Sequence, residues 1–120
     1  MRKFLILCLA VVMGCGKEKT TADWITQLHD KDSARRLEAV KELEKRETEL
    51  EAVVPALIEA LKDENSYVRR DSATALGNLG SGAASAISAL RVAQQDRERS
   101  VRKAASDALQ KIDKIKPDAR

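Results

Sequence analysis

PALIEALKDENSYVRRDSATALGNLG, residues 55–80, decides the fold of this 120-residue chain. Displaced by 33 residues in either direction, most of it returns. Asp30, Asp63 and Asp96 fall in one register, as do Arg36, Arg69 and Arg102, and Leu43, Leu76 and Leu109. Ala39, Ser72 and Ala105 coincide, Val68 matches Val101, Leu79 matches Ile112, and upstream Trp24, Leu57 and Leu90 align. Alanine and leucine coincidences are cheap in a chain rich in both, so the Asp and Arg columns carry the evidence. Self-similarity at a fixed period of this length marks an array of supersecondary units.

Each unit reads as two helices. The first is short and is expected over 21–29, 53–62 and 84–94. In the middle unit Val53, Val54, Leu57, Ile58 and Leu61 form an apolar stripe at helical spacing. Pro55 is placed in the first turn of that helix, where a missing N–H costs nothing. Polar turns DKDS, DENS and DRERS follow, with Ser33, Ser66 and Ser100 as the expected N-caps of second helices over 34–48, 67–80 and 101–115. Gly77, Gly80 and Gly82 loosen and then end the middle second helix. The first unit carries Arg35 where the others have valine, and Arg46 where they have Leu79 and Ile112. That polarity suits a terminal repeat, on whose outer face nothing stacks.

Every Asp of the repeated column stands at a turn, six residues before its Arg. A carboxylate there can accept N–H groups at the start of the second helix. An arginine in the first turn of a helix opposes the dipole unless it is paired. An Asp–Arg network over Asp30, Arg36, Asp63, Arg69, Asp96 and Arg102 answers both needs and can run through the units as a ladder. Solubility alone does not require the same two charges at the same places in three units.

The pattern resembles HEAT repeats, in particular the short bacterial variety shared with phycobilisome lyase-like proteins. That family carries an aspartate at the turn and a Val-Arg pair opening the second helix, matched here by Asp63, Val68 and Arg69 and by Asp96, Val101 and Arg102. Asp30 and Arg36 match without the valine, and Pro55 matches the family's first-helix proline. The resemblance covers residues 21–115. It implies an all-α fold, a right-handed α-solenoid of about three hairpins, that binds macromolecules along its surface and is not an enzyme.

The chain begins differently. Arg2 and Lys3 precede an uninterrupted apolar run over residues 4–13, FLILCLAVVM, and the sequence turns polar directly after Gly14 and Cys15. A run of ten is too short for a membrane-spanning helix, which needs about 20 residues. A charged start, a short apolar stretch and a small residue at its end read as an export signal that is removed. Val12, Met13, Gly14 and Cys15 resemble the bacterial lipoprotein signal, although Met13 is bulkier than that pattern's usual residue. The resemblance implies a covalent lipid on Cys15, cleavage before it, and no other cofactor. It also implies a bacterial membrane location facing away from the cytoplasm. Gly16, rather than aspartate, directs such proteins to the outer membrane where the host has two. Residues 1–14 are then the signal, 15–20 a short tether, 21–115 the repeat domain and 116–120 a tail. The six residues GKEKTT that follow Cys15 reach about 20 Å when extended.

Removal of the signal alters the charge balance. The whole chain carries 22 basic and 19 acidic residues and a formal charge of +3. Arg2 and Lys3 leave with the signal and no acid does, so about +1 remains, too little for long-range attraction to nucleic acid. Cys8 leaves as well, so the body holds no cysteine pair and must be stabilised by packing.

Catalytic features are absent from the sequence pattern. His29 is the only histidine, at the end of the first helix, where the dipole favours it. The carboxylates are scattered among lysines and arginines without metal-ligand spacing. GNLGSG ends a helix rather than following a strand and lacks the context of a nucleotide fingerprint. The outward positions of the second helices form the expected concave surface: Leu37, Arg70 and Lys103; Glu38, Asp71 and Ala104; Lys41, Thr74 and Asp107; Lys45, Asn78 and Lys111. The leading expectation is a membrane-anchored, non-catalytic interaction module of the cell envelope, with a protein partner and room for a homo-oligomer. Two alternatives stand beside it. A role associated with bilin lyases is opposed by export, by size and by the missing nucleophile. A nucleic-acid-binding array is opposed by the near-neutral charge.

Overall fold

Apolar stripes broken by polar turns produce six α-helices and one 3₁₀ segment in the computed structural model, which describes residues 17–115. We label them α1 (Thr21–Gln27), α2 (Ser33–Glu44), α3 (Leu50–Ala60), α4 (Ser66–Asn78), the 3₁₀ segment (Gly80–Ala86), α5 (Ile87–Ala93) and α6 (Arg99–Ile115). Every regular element among the described residues is helical. Consecutive pairs form three hairpins that stack: α1 with α2, α3 with α4, and the 3₁₀ segment and α5 with α6. The chain is thus an all-α stack of hairpins of HEAT-like type. Residues 1–14, with Val12, Met13 and Gly14, lie outside the described residues, as do Cys15 and the tail 116–120. No described helix is long and apolar enough to cross a membrane.

Local chemistry sets the helix starts, and it corrects the expected caps. The Thr20 hydroxyl accepts the Asp23 N–H at 3.2 Å while the Asp23 carboxylate accepts the Thr20 N–H at 2.8 Å, a reciprocal capping box. Asp32 rather than Ser33 caps α2, accepting the Ala34 N–H at 2.9 Å. Asn65 rather than Ser66 caps α4, accepting from Tyr67 and Val68 at 2.8 and 3.2 Å. In both turns an amide or carboxylate oxygen precedes the serine and takes the N–H groups first, so the serine becomes the first helical residue. Arg99 opens α6 and places Ser100 inside its first turn.

Two further expectations shift. α3 begins at Leu50, so Pro55 lies inside the helix rather than in its first turn. Pro55 is exposed, and water can reach the carbonyl its ring nitrogen leaves without a donor. The single helix expected over 84–94 is instead a 3₁₀ segment kinked at Ala83, followed by α5. Residues 80–86, GSGAASA, bring only small side chains to the core, with Ala83 and Ala86 buried. Gly80 begins that segment at φ 64°, a left-handed backbone that ends α4 without a Cβ clash.

The repeat columns become the core. Leu43, Leu57, Leu76, Leu90 and Ile112 are buried with Val40, Val53, Val68 and Val101. Small residues set the spacing between hairpins. A Cβ on Gly77 would stand 2.7 Å from the Ala108 Cα, so α4 and α6 approach backbone to side chain. Leu109, in register with the buried Leu43 and Leu76, is only partly covered, because no further hairpin lies over it among the described residues.

Candidate functional site

The second helices bring two sets of predicted residues together: the Asp–Arg columns at the turns and the polar columns of the outward face. The ladder is built from two kinds of contact. Within each unit, the arginine Nη1 donates to two carbonyls of its own turn. Arg36 reaches Asp30 O and Lys31 O at 2.8 and 3.1 Å, Arg69 reaches Asp63 O and Glu64 O at 2.8 and 3.1 Å, and Arg102 reaches Asp96 O and Arg97 O at 2.7 and 3.1 Å. Between units, Nε and Nη2 fork onto the aspartate of the following hairpin. Arg36 holds Asp63 at 2.9 and 3.0 Å and Arg69 holds Asp96 at 2.8 and 3.0 Å. Arg36 and Arg69 thus pass over the carboxylate six residues before them and take the one 27 residues after.

Each column aspartate also ties its own turn. Asp30, Asp63 and Asp96 accept the N–H two residues on, from Asp32, Asn65 and Glu98, at 2.9, 2.8 and 2.8 Å. The turn is therefore a complete local device before any neighbour arrives. Arg36 and Arg69 are buried, with side chains 8% and 6% exposed. The bond to Asp63 raises the Arg36 pKa against the opposing effect of burial, and Asp96 does the same for Arg69, so both stay charged. Burial pushes the Asp96 carboxyl up, but the Arg69 fork and the Glu98 N–H outweigh it and hold the group below its ordinary range. Bidentate, buried and charge-assisted pairs of this kind fix geometry as well as energy.

The ends of the ladder differ from its middle. At the N-terminal end Asp30 meets the exposed Arg35 at 3.2 Å. At the other, Arg102 is exposed and has no carboxylate partner among the described residues.

The expected concave columns are exposed except at four places: Ala104 is buried in the core, and Leu37, Arg70 and Asp71 are half-covered because α2 and α4 turn those positions partly toward their neighbours; several of the exposed charges are neutralised locally. Lys103 pairs with Asp107 at 3.1 Å, Arg70 with Asp71 at 2.9 Å, and Lys45 with Glu42 at 2.7 Å. Lys41 and Thr74 face solvent, and the Thr74 hydroxyl bonds back to the Arg70 carbonyl at 3.1 Å. A polar relay crosses all three hairpins. Lys111 donates to Asn78 Oδ1 at 2.7 Å, and Asn78 Nδ2 donates to Glu44 at 2.6 Å. Lys45, the periodic counterpart of Asn78, takes no part in it. Glu44 escaped the sequence reading because it stands 34 rather than 33 residues from Asn78.

Arg70 also lies over the Tyr67 ring at 5.1 Å, and Tyr67 is 58% exposed. An exposed Tyr–Arg pair has the composition of a protein-contact hot spot. Its two members stand three residues apart on one helix, a spacing that was legible but not singled out. At the N-terminal end Lys19 covers the Trp24 ring at 4.3 Å and donates to Gln27 at 2.6 Å, so Trp24 seals that end of the stack. His29 lies 3.4 Å from Glu59, both exposed, and no group of three or more His, Cys, Asp or Glu side chains among the described residues could hold a metal ion.

The family described as HEAT repeats matches residues 21–110. No curated protein matches the chain. Among solved structures, a chain of the complex of CpcE and CpcF of phycocyanin lyase from Nostoc sp. PCC7120 superimposes with a TM-score of 0.71 at 31% sequence identity. The match covers 83% of this chain and 40% of that one, so this chain spans well under half the length of the protein it matches.

Proposed function

The chain belongs to the HEAT-repeat family, and from that premise we propose that it is a non-catalytic protein-binding module, a HEAT subunit that assembles with another protein. The observation that carries this reading is the likeness, at 31% identity, to a chain solved within a two-protein lyase complex. That likeness favours an association with a lyase-type assembly over a general envelope scaffold. The outward face supports it with an exposed Tyr67–Arg70 pair among internally neutralised charges, which leaves little to repel a protein surface.

We propose separately that the module is carried on a lipid at Cys15, at a bacterial membrane and outside the cytoplasm. Val12, Met13, Gly14 and Cys15 at the end of the apolar run support that reading. Lys19 and Thr20 are tied to the first hairpin, so the four residues from Cys15 to Glu18 could span at most about 14 Å if extended, shorter than the 20 Å expected of the whole linker. Two acyl chains anchor a protein where one does not.

One experiment tests both. Wild type and Cys15→Ser are expressed with labelled palmitate, fractionated, crosslinked and captured. The expected result is label and membrane association for the wild type alone, with one protein captured by both forms at stoichiometric level. An unlabelled, soluble wild type ends the anchor reading. Capture of no protein above background ends the module reading.

A further inference from the structure

Two boundaries separate the three hairpins, and the ladder treats them alike. Arg36 forks onto Asp63 at 2.9 and 3.0 Å, and Arg69 forks onto Asp96 at 2.8 and 3.0 Å. Both arginines are buried, and both rungs lie at the turn end of the second helices. At the other end of those helices the two boundaries differ.

Between the second and third hairpins the backbones interlock. A Cβ on Gly77 of α4 would stand 2.7 Å from the Ala108 Cα of α6 and 2.8 Å from its Cβ. Ala104, Ala105 and Ala108 are all buried on α6. The first-helix layer locks in the same way, because Leu50 of α3 lies on Gly82, where a Cβ would overlap its Cδ1. Among the described residues, α4 and α6 are the most extensively packed pair of elements.

The same register positions of the preceding boundary carry neither lock. The counterparts of Gly77 and Ala108 are Glu44 and Ala75, and those of Leu50 and Gly82 are Lys17 and Glu49, both exposed. At the spacing of α4 and α6, the Cβ of Glu44 would collide with Ala75, so α2 stands further from α4 at this level. What joins the two helices there is the half-covered Glu44 side chain, which accepts Asn78 Nδ2 at 2.6 Å in an exposed hydrogen bond. Asn78 Oδ1 in turn accepts Lys111 of the third hairpin at 2.7 Å, also in the open. An exposed hydrogen bond exchanges for water at small net cost, whereas a buried bidentate ion pair does not.

We propose that the second and third hairpins form one rigid body and that the first is an arm hinged on the Arg36–Asp63 rung, with the Glu44–Asn78 bond as its latch. Release of the latch widens the seam between α2 and α4 at the end far from the rung. The movement is a rocking of packed helices and leaves each hairpin folded. It changes the angle at which Glu38 and Lys41 stand to the rest of the outward face, so the array presents two fixed hairpins and one adjustable one. The hinge belongs to the chain on its own and goes beyond the protein-binding reading, so either can fail without the other.

Nitroxide pairs in one register read the hinge. They are placed in the full chain carrying Cys8→Ser and Cys15→Ser. Lys41→Cys with Thr74→Cys spans the first boundary at the latch end, and Thr74→Cys with Asp107→Cys spans the second. Ala34→Cys with Tyr67→Cys spans the first boundary beside the rung. All of these positions are exposed. Dipolar broadening in frozen solution reports each distance, and circular dichroism confirms that each variant folds.

Asn78→Ala removes one hydrogen bond from each boundary. The expected result is a weaker dipolar coupling, a shift to longer distance, for the 41–74 pair alone. Asn78→Asp sets a second carboxylate against Glu44 while keeping an acceptor for Lys111, so it should lengthen 41–74 further and still leave 74–107 in place. Three results overturn the proposal: a 41–74 distance indifferent to both variants, a 74–107 shift as large as that at 41–74, or a 34–67 shift as large as that at 41–74. The second would mean that the glycine interlock fixes nothing, and the third that the hairpins separate without a hinge.

Discussion

Arg69 and Arg102 occupy the same place in successive hairpins, open the same helix and hold the same two turn carbonyls within 0.1 Å of each other. One is buried and forked onto Asp96; the other is exposed. The residue and its local geometry are therefore constant, and the neighbour alone sets its energetic weight. An ion pair removed from water is worth far more when broken than one left in it, because the surviving charge has no solvent to return to.

The largest test of this contrast is a pair of truncations. Arg69→Ala strands Asp96 beside α4 and should lower unfolding free energy by about 3–5 kcal/mol. Arg102→Ala should cost about 0–1 kcal/mol. Urea denaturation reads both, and equal losses would break the comparison. Next is the packing of the same boundary. A methyl on Gly77 meets the Ala108 Cα at 2.7 Å, where backbone must move. Gly77→Ala should therefore destabilise by about 1–3 kcal/mol despite its better helix propensity. At the free end, Gln110→Ala in the same column should fall within about 0.5 kcal/mol of the wild type.

The pH dependence sharpens the contrast further. The folded-state pKa of Asp96 lies below its ordinary value of 3.8, so its contribution to stability is complete above that value. It is lost as pH falls through the folded-state value, where the carboxyl is protonated and the Arg69 fork weakens. Urea midpoints measured downward from pH 5 should drop more steeply for the wild type than for Asp96→Asn. Parallel curves would remove Asp96 from the acid response.

The smallest effect has the opposite sign. Ser72 is fully buried, as are Ala39 and Ala105 of the same column, and its hydroxyl has no hydrogen-bond partner. Ser72→Ala should raise stability by about 1 kcal/mol. A loss in thermal unfolding would show that the hydroxyl is satisfied in solution.

Much of this was legible in the chain. The Asp, Arg and Leu columns placed three hairpins and their turns, and Val68 and Val101 stood out as core positions beside the charged Arg35. The helix starts at Asp32 and Asn65 were misjudged by one residue, because two capping types stood side by side and the earlier one took the N–H groups. The relay through Glu44 and Asn78 stayed hidden because strict periodicity assigns Lys45 to that place, whereas a long side chain can reach across from the adjacent position.

The sequence by itself determined the unit: its 33-residue length, its apolar stripes and the Asp and Arg register, since each follows from local periodicity and turn chemistry repeated in every copy. Only the tertiary structure decided which carboxylate Arg36 and Arg69 take, why Gly77 must lack a side chain and why, among the described residues, Leu109 and Arg102 are less covered than their counterparts. Those properties belong to the boundary between hairpins, and a boundary depends on what the neighbour presents.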